Sequence, residues 1–330
     1  MIQAVLLNFI YFDILYTEIW FPDLMKYLNL DLDFEDYPLN SYFNENGFQS
    51  QTFLKNIGST IFFLITYILL WVFLLLLKLL SNMTTIFEKF RIKLQSWLMW
   101  NATINFLMSQ FTPIMMSSIL NINDLKWDSN VAKFSSALSI ILSAVVLVSL
   151  ILLSRVLWNV YKDKSKEIDE LERKYETLID GLKQKSSNNR FIILYWRIIY
   201  LIRWLFTILI MIQLKDCPNL QILILLVISY IMQGLIATSK PFESKLDNIF
   251  AFSNEMSASF YLYIMMLLSD SSDDTTSSRR ESFGWTLAIL MCAVCLINFI
   301  KALVILLKKI CPYIKTKIIE CCIKIRLSRA

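Results

Sequence analysis

The stretch "KNIGSTIFFLITYILLWVFLLLLKL", residues 55–79, is apolar almost without interruption. A helix rising 1.5 Å per residue needs about 20 such residues to cross ~30 Å of hydrocarbon. A run this long and this uniform reads as a membrane-crossing helix. Six further runs lie C-terminal to it, near 100–121, 134–158, 191–213, 219–238, 248–268 and 283–307. Polar residues fall in short blocks between them, and the chain of 330 residues is 56% hydrophobic. The expected architecture is therefore all-α: a polytopic helical membrane bundle of about seven transmembrane helices. The second run, "NATINFLMSQFTPIMMSSIL", holds Asn101, Asn105, Gln110 and Pro113, so it is expected to be shielded by other helices.

The basic residues fix an orientation. Segments 81–98, 159–190, 239–247 and 308–330 carry 20 Lys and Arg, whereas 1–54, 122–132, 214–218 and 270–281 carry 5. Cytosolic connections are the Lys/Arg-rich ones. The N-terminus is thus expected outside and the C-terminus in the cytosol. Three parts follow. Residues 1–54 form an extracytosolic cap and pre-span segment, 55–307 the seven-helix membrane domain, and 308–330 a basic, amphipathic cytosolic tail. A helix crossing at 2–20 is the alternative for the N-terminus and would move that end to the cytosol.

Two non-spanning segments have their own patterns. In the charged loop 159–190, Ile168, Leu171, Tyr175, Leu178 and Leu182 recur at spacings of three and four, the stripe of an amphipathic helix packed on the bundle. The tail "KKICPYIKTKIIECCIKIRLSRA" would bind anionic lipids of the cytosolic leaflet, and Cys311, Cys321 and Cys322 sit where lipidation occurs. Cys292 and Cys295 lie within an apolar run and read as small packing residues.

The chemistry-bearing residues are few. There is no His, which removes His-based acid–base, metal and nucleophile chemistry. No phosphate-cradling Gly loop or catalytic constellation is visible, so neither an enzyme nor a cofactor is expected. The basic residues track the membrane face, so no nucleic acid is expected either. The bilayer is the expected partner, and a homo-oligomer stays open. Within the apolar runs, "FAFSNEMSASFYLYIMMLLSD" (250–270) carries Glu255, and the fourth run carries Arg197 and Arg203. Counted from the cytosolic ends of the runs, Glu255 and Arg197 lie at nearly equal depth, so they are the expected ion pair, with Arg203 deeper. Such a pair either orders the bundle, lines an ion or substrate path, or breaks during gating. Gln233, Asn254 and Asn298 are candidates for a polar lining.

The order of features from 191 onward carries a resemblance. "LYWRIIYLIRWLF" is followed by the short turn "CPNLQ", a helix ending in "KPFESKLDN", and the Asn-Glu helix "FSNEMSASFYLY". "LLNFIYFDIL", "WFPDL", "QSQTFLKNIG" and "YETLIDGLK" agree further upstream. This order resembles the C-terminal membrane region of a ciliate family of polytopic surface proteins, itself similar to the fungal transient-receptor-potential-like (TRP-like) channel domain. Arg197, Arg203, Pro241, Asn254 and Glu255 occupy the motif positions. The resemblance implies a channel- or transporter-type membrane domain. A non-conducting anchor or scaffold is the second reading. A seven-helix receptor is third, since "LLSRVLWNVY" lacks Asp-Arg-Tyr and the seventh run lacks Asn-Pro-x-x-Tyr.

Overall fold

The computed structural model describes residues 26–27, 37–40, 43–44, 48, 50–80, 85–162, 175–183, 189–270, 281–304 and 307. Nearly all of these are helical. A short helix α1 (Phe53–Asn56) leads into α2 (Gly58–Leu80). Helix α3 (Thr85–Ser96) runs through a π-helical turn (Trp97–Ala102) into α4 (Thr103–Asn123). Helix α5 (Asn130–Lys162) follows, then single turns α6 (Glu176–Ile179) and α7 (Arg190–Leu194). The last four are α8 (Trp196–Gln213), α9 (Pro218–Ser239), α10 (Lys245–Asp270) and α11 (Glu281–Val304). The 2–20 alternative, the tail with Cys311, Cys321 and Cys322, and Ile168 and Leu171 lie outside the described residues.

Among the described residues, five helices are long and apolar enough to cross a membrane: Thr60–Leu80 within α2, then α5, α8, α9 and α11. The two other expected runs also form long helices, α4 and α10, but neither reaches that apolarity. Their sequences explain it. α10 opens with Lys245, Asp247 and Asn248 and carries Glu255, while α4 is rich in Ser, Asn and Gln. The fourth run is broken at Tyr195, so its long helix starts at Trp196 and not near 191.

α4 is the core of the bundle. Every residue from Gln110 to Asn121 is buried, Pro113 included, as its polar sequence required. Phe111, Met116 and Leu120 pack with Phe53, Leu157, Ile208 and Ile212. A second, polar layer binds α4 to α1, α2 and α5. Ser139 donates to Asn121 Oδ1 at 2.9 Å, Ser117 to the Asn56 carbonyl at 3.3 Å, and Thr60 to Gln110 Oε1 at 2.9 Å. Ser135, Ser139 and Ser143 repeat every four residues on α5, and all are buried. Small side chains at that spacing let two helices approach closely. Ser139→Leu is expected to lower stability by about 1–3 kcal/mol through overpacking, more than Ser139→Ala. Thermal unfolding of the purified protein checks this; equal shifts for the two would show a loose α4–α5 contact.

By contrast α2 and α11 turn most of their apolar surface outward. Phe63, Leu69, Leu75 and Leu79 of α2 and Ile289, Leu296 and Phe299 of α11 are exposed. Apolar exposure on this scale is foreign to a monomer in water and ordinary against lipid. Cys292 and Cys295, read as small packing residues, are free and exposed on α11.

In the described part of the loop between α5 and α7, residues 175–183, the helix that the stripe suggested does not run through to Leu182. The stripe residues Tyr175, Leu178 and Leu182 are all buried, yet the helix stops at Ile179. Gly181 then adopts φ +74°, the left-handed geometry that ends helices and suits glycine. Beyond it the chain runs as a strap along the α9–α10 connection. Lys183 N–H donates to the Pro241 carbonyl at 2.9 Å, and Glu243 N–H to the Gly181 carbonyl at 3.0 Å. Leu182 packs among Ile193, Trp196, Met232 and Ile236. Thr177 donates to Asn101 in the π-helical turn at 3.0 Å. Burial pushes the Tyr175 phenol above its usual pKa.

Candidate functional site

Glu255 takes its partner from a different position than expected. Arg203 Nη1 donates to Glu255 Oε1, joining α8 to α10. Arg197 instead sits in the first turn of α8, where Nη2 donates to the Asp180 carbonyl of the strap at 3.0 Å. The cause is a shift in both helix starts. α8 begins at Trp196, so Arg197 has almost no depth and Arg203 lies ~10 Å in; α10 begins at Lys245, so Glu255 lies ~15 Å in. The deeper arginine is the nearer of the two to the height of the carboxylate.

α9 completes the site. Ser229 is ten residues from the Ser239 end of α9, also ~15 Å deep. Its Oγ donates to Glu255 Oε2 at 3.1 Å. Ser259 Oγ lies 3.0 Å from Ser229 Oγ, and Gln233 Nε2 donates to Ser259 Oγ. Gln233 Nε2 also reaches the Glu255 carbonyl at 3.3 Å. One assignment of the hydroxyl protons satisfies the chain: the Gln233 amide donates to Ser259, Ser259 to Ser229, and Ser229 to the carboxylate. Donors aligned in one direction polarise one another, and the charge at the end strengthens each bond. The glutamate is thus held from two sides, by the guanidinium of α8 and by the hydroxyl chain between α9 and α10.

Burial makes these contacts matter. Ser229, Gln233 and Ser259 are buried, and the side chains of Arg203 and Glu255 are 21% and 12% exposed. A lone charge at the centre of a spanning helix costs at least ~2.5 kcal/mol, and pairing offsets part of that. Ser229 and Ser259 went unread in the sequence, although the signal was there. Ser229–Gln233 and Glu255–Ser259 are both four residues apart, which places each pair on one helix face.

Of the other lining candidates, Asn254 and Asn298 exchange amide hydrogen bonds at 3.1 and 2.9 Å, tying α10 to α11. Lys301 adds an ion pair to Asp247 at 2.7 Å and lies over the Phe250 ring. Asn254 faces away from the glutamate's network, on the exposed side of α10.

The five apolar helices are compatible with a multi-pass membrane protein. No family model matches the chain, and no curated protein or solved structure matches it.

Proposed function

We propose that the chain crosses the membrane seven times, with its N-terminus outside and its C-terminus in the cytosol, as a channel- or transporter-type domain. In this reading α4 and α10 are the two remaining crossings, with Gln110, Ser117 and Asn121 of α4 and Ser259 of α10 buried against protein. The asymmetry of Lys and Arg between alternate connections supports the orientation. One observation supports the transport reading above the others: a carboxylate at mid-depth, held by Arg203 and a Ser–Ser–Gln chain across three helices. Ionisable groups at that depth are expensive and concentrate where ions, protons or substrates pass. In this reading the ion pair is the closed state of the site, and opening requires Glu255 to exchange Arg203 for a permeating cation or water. The order of the Arg, Pro and Asn-Glu motifs, similar to TRP-like domains, agrees.

Ion flux into liposomes carrying the purified protein tests it. Wild type is expected to conduct, and Glu255→Gln to change the rate or the cation preference by tenfold or more. Sealed liposomes under voltage, altered lipids and calcium would dismiss transport. They would favour the second reading, a non-conducting scaffold. That reading draws on the same network, whose donors and acceptors satisfy one another.

A further inference from the structure

Helix α3 is a short basic helix outside the site just described. It is set against α2 in a definite register. Tyr67 OH is 2.6 Å from Thr103 Oγ1, and the Tyr67 ring stacks on Phe106. Further along, Leu74 packs with Leu98 and Leu94. α2 therefore runs antiparallel to the path from α3 through the π-helical turn into α4, where Thr103 and Phe106 lie, about one residue back for each residue forward. Continued to the end of α2, this register sets Leu80 opposite Phe90. Lys89, Arg91 and Lys93 then lie within about one turn of the height at which the apolar run of α2 stops.

That height is where a bilayer changes from hydrocarbon to headgroups. The side chains match it. On a helical wheel Phe87, Phe90 and Leu94 share one face, with Lys89 and Lys93 on one flank and Arg91 on the other. Leu94 is taken up by α2, whereas Phe87 and Phe90 are 39% and 50% exposed. Lys89 and Lys93 are exposed, and Arg91 is half-buried. Glu88 is the one acid between Thr85 and Ser96, against three cations. Basic side chains flanking exposed aromatic rings suit a layer that is apolar below and anionic above. An acidic protein partner would use the cations but leave the rings, at lipid height, without a role.

We infer that α3 is a docking surface for the anionic headgroups of the bilayer leaflet that meets the end of α2. Phe87 and Phe90 insert beside the acyl chains, and Lys89, Arg91 and Lys93 engage lipid phosphates and carboxylates. The inference rests on the membrane reading of α2 but not on transport. It is separate from the lipid contact expected of the tail, which lies more than 200 residues away in the chain.

Amide hydrogen exchange on the full chain tests it, in nanodiscs of phosphatidylcholine with and without phosphatidylserine. Each cation near an anionic surface favours contact roughly fivefold. Exchange over residues 85–96 is expected to slow about tenfold with phosphatidylserine. The difference should vanish in the Lys89→Gln/Arg91→Gln/Lys93→Gln protein and shrink at high salt. Equal exchange of the wild type in the two bilayers overturns the inference without recourse to any variant. So does a difference that survives the triple substitution, or one that soluble glycerophosphoserine reproduces in phosphatidylcholine discs. Slow exchange across Gly58–Leu80 in both compositions is the separate check on α2. Fast exchange there would sink the membrane reading itself.

Discussion

Replacing Glu255 by Leu while Arg203 remains is expected to destabilise the protein by about 3–5 kcal/mol, the penalty of a buried charge stripped of its partner. The structure sets the size of this effect. Arg203 is mostly buried, its partner is Glu255, and the loss also leaves Ser229 Oγ without its charged acceptor. The paired replacement Arg203→Met/Glu255→Leu should recover most of the loss, because it removes both charges from the bundle and keeps the volume. Thermal unfolding in one detergent, compared across the two single variants and the double, gives the coupling energy directly. A single variant no worse than the double would mean that solvent or lipid, and not Arg203, neutralises Glu255. Arg197→Met bears on the same geometry. Arg197 donates to a strap carbonyl and feels the Asp180 carboxylate only through space, so its loss should cost only about 1–2 kcal/mol.

Leu182→Asp should release the strap altogether. Leu182 is 4% exposed among the apolar side chains of Ile193, Trp196, Met232 and Ile236. Burying an unpaired charge there is far less favourable than undocking a short segment, so the segment is expected to leave. The readout is local. Exchange of the Lys183 and Glu243 amides, which donate across the strap, should rise by at least a hundredfold. Exchange in Gln110–Asn121, enclosed within α4, should hold. Leu182→Met, close in volume, should change neither. If Asp leaves the two amides protected, the strap is held by its main-chain bonds and not by the leucine.

How far the sequence could be read follows from where each piece of information resides. The runs at 55–79 and 134–158 declare themselves because crossing hydrocarbon demands twenty apolar residues in a row, and little else does. The enclosure of α4 from Gln110 onward was legible too, since Gln110 and Pro113 need neighbours to satisfy them, although Asn105, read with them, is exposed. The Glu255 partnership was not. An ion pair is a matter of a few ångströms, and helix starts misplaced from 191 to Trp196 and from 248 to Lys245 move side chains by about 5–8 Å along the axis. Nothing in "FIILYWR" announces the break at Tyr195: it holds neither Gly nor Pro. The stripe Tyr175–Leu178–Leu182 correctly marked which side chains are buried, but not the change from helix to extended chain between them. The one hint was Asp180–Gly181, an ordinary helix stop.

The strap's two cross-links to the α9–α10 connection, Lys183 to Pro241 and Glu243 to Gly181, run between peptide groups. Any amino acid with an amide hydrogen can sit at 183 or 243 and still make them. Among related chains these two segments should therefore drift independently, with no compensating exchanges to betray that they touch. Co-variation would be blind to this joint, while the turn at 181 would keep its glycine.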